Sequence, residues 1–272
     1  MKDFYYQERK MAARRIRQIR QKEKDDGLAT YAQRRNGERY NFLLQGLQGT
    51  LDYARRLPSN LVVDIGAGVT RAIKEISEEE MAKDLKFKAT ILGFYMINSK
   101  LFYEKSRLYK KLVDELKKQG KEAPRRIGNK YLIEQNLGLK NTHITSAETL
   151  RPFADESVAV LLSVYSVNYS ASLRLVAESI DRVLVPGGVF KGFFPFRKED
   201  TSLEAETAYP FVVALAEKGY DIVCAEGDQL DNGYYEGHGI VLAVKPGGGQ
   251  PVTARELFCK DLESIARKKP LK

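Results

Sequence analysis

The stretch NLVVDIGAGVTRAIKEI, residues 60–76, runs from an apolar strand pattern through two glycines into a helical pattern. Gly66 and Gly68 let the backbone bend and come close to a ligand, and the helix that follows presents free N–H groups at its start. Strand, tight turn and helix in that order make a nucleotide-type site. A dinucleotide fingerprint would add a third glycine for close helix–strand packing and an acid about 20 residues on for the ribose. Arg71 occupies that third place, which argues against a dinucleotide. Asp64 closes the strand two residues before the first glycine. Thr70 stands where another glycine often sits, and its hydroxyl suits a helix start.

A second group of chemical side chains lies in SVYSVNYS, residues 163–170, at the end of a fourth strand pattern. Ligands of parallel sheets collect at the carboxyl ends of the strands, so Tyr165, Asn168 and Tyr169 are candidate acceptor-side residues. No catalytic residue is singled out. His143 falls inside a strand pattern and His238 opens the last strand, both structural positions. The chain has no HxH or HExxH cluster, so no metal site is expected. Cys224 and Cys259 are far apart with no CxxC spacing, and Cys224, in the apolar YDIVCAEG, reads as a small core residue.

The elements that must position these residues alternate along the chain. LVVDIG (61–66), FKATILGF (87–94), NTHITS (141–146), SVAVLLSVY (157–165) and GGVFKGFFPF (187–196) read as strands. Helical patterns at 69–82, 98–119, 129–137 and 171–184 separate them, which predicts a mostly parallel sheet covered on both faces. Near the end, a helix and a strand over TAYPFVVALAEKGYDIVCAEG precede HGIVLAVKP with no helix between the strands. A parallel pair needs a crossover, so the last strand is expected to be antiparallel. Upstream, residues 3–24 have a narrow helical stripe through Ala12, Ile16 and Ile19, and a second helix is expected over 39–57.

With these pieces in place, VVDIGAGVT resembles the first motif of the class I S-adenosylmethionine-dependent methyltransferases. SAETLRPFADESVAVLLS (146–163) is similar to that family's adenine-side turn leading into its fourth strand, and RVLVPGGVFKGFF (182–194) to its helix, Pro-Gly-Gly turn and fifth strand. The likeness covers about residues 58–246. It implies a Rossmann-like α/β fold with a seven-stranded, mostly parallel sheet, an antiparallel last strand and an N-terminal helical extension. The implied cofactor is S-adenosylmethionine, held by Asp64, Gly66, Ala67, Gly68, Thr70, Tyr95, Met96, Ser146, Ala147, Glu148 and Ser163. Two positions depart from the pattern. Tyr95 stands where the family has a ribose-binding acid, and Ser146-Ala147-Glu148 where an Asp often meets the adenine amine. The Asn-Pro-Pro-aromatic signature of amino-methylating nucleic-acid enzymes is absent after the fourth strand.

These features divide the 272 residues into a basic helical region (1–57), a methyltransferase domain (58–246) with a helical insertion at about 100–140, and a basic tail (247–272) after the joint PGGGQP. The net charge of +9 is uneven: residues 1–24 carry nine Lys/Arg against three Asp/Glu, and 100–130 carry eleven against four. Such segregation suits an acidic partner, and Phe102, Tyr103, Tyr109 and Tyr131 in the insertion could stack on bases. The expected activity is methyl transfer to structured RNA, ribosomal or transfer RNA, through 1–24 and 100–130. The alternatives are a small-molecule enzyme with an N-terminal helical lid, and a non-catalytic module of the same fold. There is neither a secretory h-region nor an apolar run of about 18 residues, so a cytoplasmic protein without membrane contact is expected.

Overall fold

A strand whose side chains are apolar on both faces must be covered on both faces, and VAVLLSV at 158–164 is such a strand: every residue in it is buried. It is β4 and lies at the centre of a seven-stranded sheet. The computed structural model describes residues 36–67, 72–91, 140–164, 166–170, 172–196, 208–226, 237–247 and 252–268, with a few isolated positions besides. The remaining strands are β1 Leu61–Asp64, β2 Lys86–Ile91, β3 Thr142–Ile144, β5 Leu184–Pro195, β6 Asp221–Glu226 and β7 His238–Val244. Their order across the sheet is β3-β2-β1-β4-β5-β7-β6. β1 to β5 run parallel, and β7 lies antiparallel between β5 and β6. The expected sheet, antiparallel last strand included, is observed.

The described helices are α1 Gly37–Leu43, α2 Gln48–Ala54, α3 Ala72–Ser77, α4 Leu173–Val183, α5 Tyr209–Ala216 and α6 Ala254–Lys268. Alternation along β1 divides the core. Val62 faces a layer with Leu43, Leu47 and Leu51, Ile73 and Ile76, and Ala254 and Leu257. Val63 and Ile65 face the opposite layer with Val176, Ile180, Phe190, Phe194 and Phe211. The expected helices at 98–119 and 129–137, the stripe at 3–24 and the basic insertion lie outside the described residues.

The helix expected near the N-terminal end of the described residues differs from the expectation. The helix expected over 39–57 is two helices, separated where Gln45 and Gly46 take positive φ of 52° and 93°. Gly46 sits so close to α6 that a Cβ there would lie 2.2 Å from the Asp261 carbonyl oxygen. Within the C-terminal residues, α6 packs on α2, β6 and β7. It opens with a capping box: the Glu256 carboxylate accepts from the Thr253 N–H, and the Glu256 N–H donates to the Thr253 hydroxyl. Cys224 also departs from its expected core position. It is exposed, because edge strand β6 has only one neighbouring strand to shield it.

One buried ion pair joins these pieces. Lys191 in β5 and Asp261 in α6 are both fully buried, with Nζ 2.6 Å from Oδ2. Nζ also donates to the Gly46 carbonyl at 2.7 Å. Asp261 accepts from the Thr50 N–H at 2.9 Å and from the Thr50 hydroxyl at 2.5 Å. Burial pushes the Lys191 pKa down, against the raising effect of Asp261. Breaking such a pair from one side costs about 3–5 kcal/mol, because the remaining charge is stranded. Asp261→Ala is therefore expected to destabilise the fold by about that much. Lys191→Met combined with Asp261→Leu should recover most of the loss. Urea denaturation of the single and double variants measures both, and a double variant as unstable as the single one contradicts the account.

Candidate functional site

The strand order reverses between β1 and β4, since one set of crossovers runs outward to β2 and β3 and the other to β5. A crevice is expected at that switch point, above the carboxyl ends of the strands. Asp64, Gly66 and Ala67 lie there. Gly66 has φ of 71°, a left-handed conformation that glycine adopts without a Cβ penalty, and it is half-exposed among buried neighbours.

The turn is tied down from three sides. From β2, the Thr90 hydroxyl accepts from the Gly66 N–H at 3.0 Å and the Thr90 carbonyl from the Ala67 N–H at 2.9 Å. From β4, the Ile65 N–H donates to the Leu162 carbonyl at 2.8 Å, and the Ser166 hydroxyl donates to the Ile65 carbonyl. From α1, the Tyr40 hydroxyl donates to Asp64 Oδ1 at 2.5 Å, with both residues buried. Thr90, Ser166 and Tyr40 were not anticipated from sequence. A buried carboxylate at a strand end signals that some partner exists, but nothing in the chain order points to a tyrosine 24 residues upstream.

Ser146, Ala147 and Glu148 follow β3. The Ser146 hydroxyl meets the Glu148 carboxylate and accepts the Glu148 N–H, which closes the turn on itself. Helix α4 then fixes this turn. The Ser179 hydroxyl donates to the Glu148 carbonyl at 2.5 Å, and the Arg182 guanidinium donates to the carbonyls of Thr149, Leu150 and Phe153. Ala147 is buried, whereas Ser146 and Glu148 are half-buried. Ser163 is fully buried and bonded to the Ser166 hydroxyl at 2.6 Å, so its hydroxyl serves the β4–β1 junction. Asn168 is fully buried in a 3-10 turn, Val167–Tyr169, directly after β4. Gly68, Thr70, Tyr95, Met96 and Tyr165 lie outside the described residues.

His143 is half-buried, edge-on to Phe153 with ring centroids 5.5 Å apart. Burial, with a smaller contribution from Lys88, holds its pKa below the usual 6.5. The other histidine, His238, stacks on Phe193. No group of three metal-binding side chains occurs among the described residues, and none of their helices is long and apolar enough to cross a membrane. A cavity of about 320 Å³ lies in the seam of α2 and α6, lined by Gln48, Asp52, Tyr53, Arg56 and Lys260 among others. Asp64, Gly66, Ala67, Ser146 and Glu148 are not among its lining residues.

A three-layer α/β/α sandwich with order 3-2-1-4-5-7-6 and an antiparallel seventh strand defines a Rossmann-like fold of the methyltransferase type. The family model described as "Methyltransferase domain" matches residues 109–191, from before β3 into β5. Among solved structures, a SAM-dependent methyltransferase from Aquifex aeolicus is 15% identical over 75% of this chain and 92% of its own, with a TM-score of 0.42. An S-adenosylmethionine-dependent methyltransferase from Listeria monocytogenes is 13% identical over 73% and 99%, with a TM-score of 0.40. A SAM-dependent methyltransferase from Thermotoga maritima is 13% identical over 76% and 94%, with a TM-score of 0.38. No curated protein matches the chain in sequence. The match to the methyltransferase-domain model thus covers a part of the chain that runs from before β3 into β5.

Two outcomes are expected from this geometry. Tyr40→Phe removes a hydrogen bond to a buried carboxylate and should lower stability by about 1.5–3 kcal/mol in urea denaturation. A loss below about 0.5 kcal/mol would show that Asp64 does not depend on Tyr40. For His143, the folded pKa lies below the unfolded one, so its contribution is fully present above pH 6.5 and is lost as pH falls through the folded value. His143→Gln should therefore flatten the decline in stability below pH 6.5 seen in the parent protein. Equal slopes in the two proteins would show that His143 is not the responsible group.

Proposed function

We propose that this chain transfers the methyl group of S-adenosylmethionine to structured RNA, ribosomal or transfer RNA, in the cytoplasm. The observation that carries the RNA reading is the placement of charge: residues 1–24 hold nine basic against three acidic side chains, and 100–130 eleven against four. Residues 25–254 are neutral in total, so an acidic partner would feel the N-terminal segment disproportionately. We assign 1–57 as the basic helical region, 58–246 as the methyltransferase domain with its insertion at 100–140, and 247–272 as a C-terminal extension that contains α6.

The residues at the strand ends fit the cofactor. Gly66 offers half-exposed backbone in a conformation free of a Cβ, Asp64 supplies a buried negative charge beneath it, and Ser146 and Glu148 offer a hydroxyl and a carboxylate on the β3 side. When bound, the cofactor would supply an electrophilic methyl group on a sulfonium to an acceptor lone pair. The Gly66 and Ala67 N–H groups are already taken by Thr90, so their part is to hold the turn open. Gly68, Thr70, Tyr95 and Met96 would complete the cofactor side, with Ala147 as an apolar wall and Ser163 as a support from β4. Tyr165, Asn168 and Tyr169 would face the acceptor. Alignment of the acceptor with the methyl group supplies much of the rate for a good nucleophile, so the task of these residues is positioning.

Calorimetry with S-adenosylmethionine and filter binding with transfer RNA, on the full chain and on one lacking 1–24, test both parts. The truncated chain should keep its cofactor affinity. Its RNA affinity should fall and depend less steeply on salt, by roughly 0.7–0.9 counterions for each lost phosphate contact. No RNA retention by the full chain even at low salt would refute the RNA reading and leave a small-molecule acceptor. No heat with the cofactor would favour a non-catalytic module.

A further inference from the structure

The cavity in the seam of α2 and α6 is built in two halves. Its floor is apolar: Leu257 is buried, Val252 is half-buried, and the Tyr53 ring belongs to the core beneath the helices. Its rim is charged. Arg56, just past the end of α2, and Lys260, on α6, line it and are both exposed. Neither makes an ion pair or a side-chain hydrogen bond among the described residues. Lys260 does feel the exposed Glu256 one turn back, whose carboxylate is held by Thr253. Two carboxylates share the rim, Asp52 and Glu263. Asp52 is already met by the Arg55 guanidinium and the Gln48 carboxamide, and Glu263 is likewise engaged.

Between floor and rim stands the Tyr53 hydroxyl. Tyr53 is only 6% exposed, yet its hydroxyl has no hydrogen-bond partner among the described residues. Nor is that oxygen sealed in the interior, so it opens into the cavity that the residue lines. Burial raises its pKa above the usual 10, against the opposing charge of Arg56. The phenol therefore stays a donor, with the guanidinium close by.

A guanidinium fork, an ammonium and a phenol above an apolar floor are the complement of one oxyanion on a small apolar body. At about 320 Å³ the cavity is at the small end of ligand pockets, which suits a body of about one ring. We propose that this seam binds a small organic anion, a carboxylate or phosphate on an aromatic body, with Arg56, Lys260 and Tyr53 at its head. The two helices meet closely beside it, since a Cβ on Gly49 would lie 2.6 Å from the Lys260 Cβ. A bound anion thus braces α2 against α6 next to Thr50 and Asp261.

The test uses the full chain, with benzoate, phenyl phosphate, inorganic phosphate and neutral benzamide as probes in calorimetry and thermal denaturation. Benzoate or phenyl phosphate should bind and raise the thermal midpoint, and the tighter of the two identifies the head group. Arg56→Gln should weaken that probe by about tenfold, as expected for loss of a hydrogen bond between charged groups. Lys260→Gln should weaken it by about threefold, the size of an exposed charge pair. Tyr53→Phe should also weaken it by about tenfold, while the thermal midpoint of the free chain stays unchanged because the hydroxyl has no partner there. Benzamide binding as tightly as benzoate would overturn the anionic head, and inorganic phosphate binding as tightly as phenyl phosphate would overturn the apolar body. A lowered midpoint for free Tyr53→Phe would give the hydroxyl to the fold and overturn its part in the site. Absence of binding by both aromatic anions at millimolar concentration, or binding unchanged in all three variants, would overturn the proposal outright.

Discussion

The Lys191–Asp261 pair is the constraint around which this molecule is assembled. An ammonium and a carboxylate without water need further hydrogen bonds besides their own, and here the Gly46 carbonyl takes one ammonium proton while Thr50 gives the carboxylate two donors. Satisfying the charges therefore joins a central strand to the chain just before α2, to α2 itself and to α6. The break between α1 and α2 follows from it. Gly46 must pass within van der Waals distance of the Asp261 backbone, and a side chain at that position would overlap it.

What this does for the site is indirect. Once the helical layer is locked to the sheet, α1 is brought over the carboxyl end of β1, where Tyr40 can reach Asp64. On the opposite face, α4 uses Ser179 and Arg182 to hold the turn after β3. Thr90 and Ser166 close the gaps from β2 and β4. The described part of the candidate cofactor turn, residues 64–67, thus lies inside a frame of hydrogen bonds. Such pre-organisation suits a reaction that depends on alignment.

The sheet was legible because its signals are local. Period-two and fully apolar runs mark strands, helical runs between them force parallel crossovers, and the missing helix before HGIVLAVKP forces an antiparallel end. The backbone bend at Gly66 was legible for the same reason, since its signal is carried by adjacent residues. The capping box at Thr253 and Glu256 marks the start of α6.

The amino-acid sequence by itself determined the strand–helix alternation, the mostly parallel sheet and its antiparallel end, because these follow from patterns within a dozen residues. Only the tertiary structure decided that α6 is part of the core. Its inward stripe is Ala254, Leu257 and Asp261, and an aspartate reads as solvent-facing until a lysine 70 residues away is found opposite it. The same holds for Tyr40 against Asp64, for Arg182 behind the turn after β3, and for Asn168 buried with both polar atoms unpartnered. In each case the meaning of a polar residue lies in what the fold places against it. Local patterning encodes which face is buried, but the pairing of buried polar groups is set by distance in space.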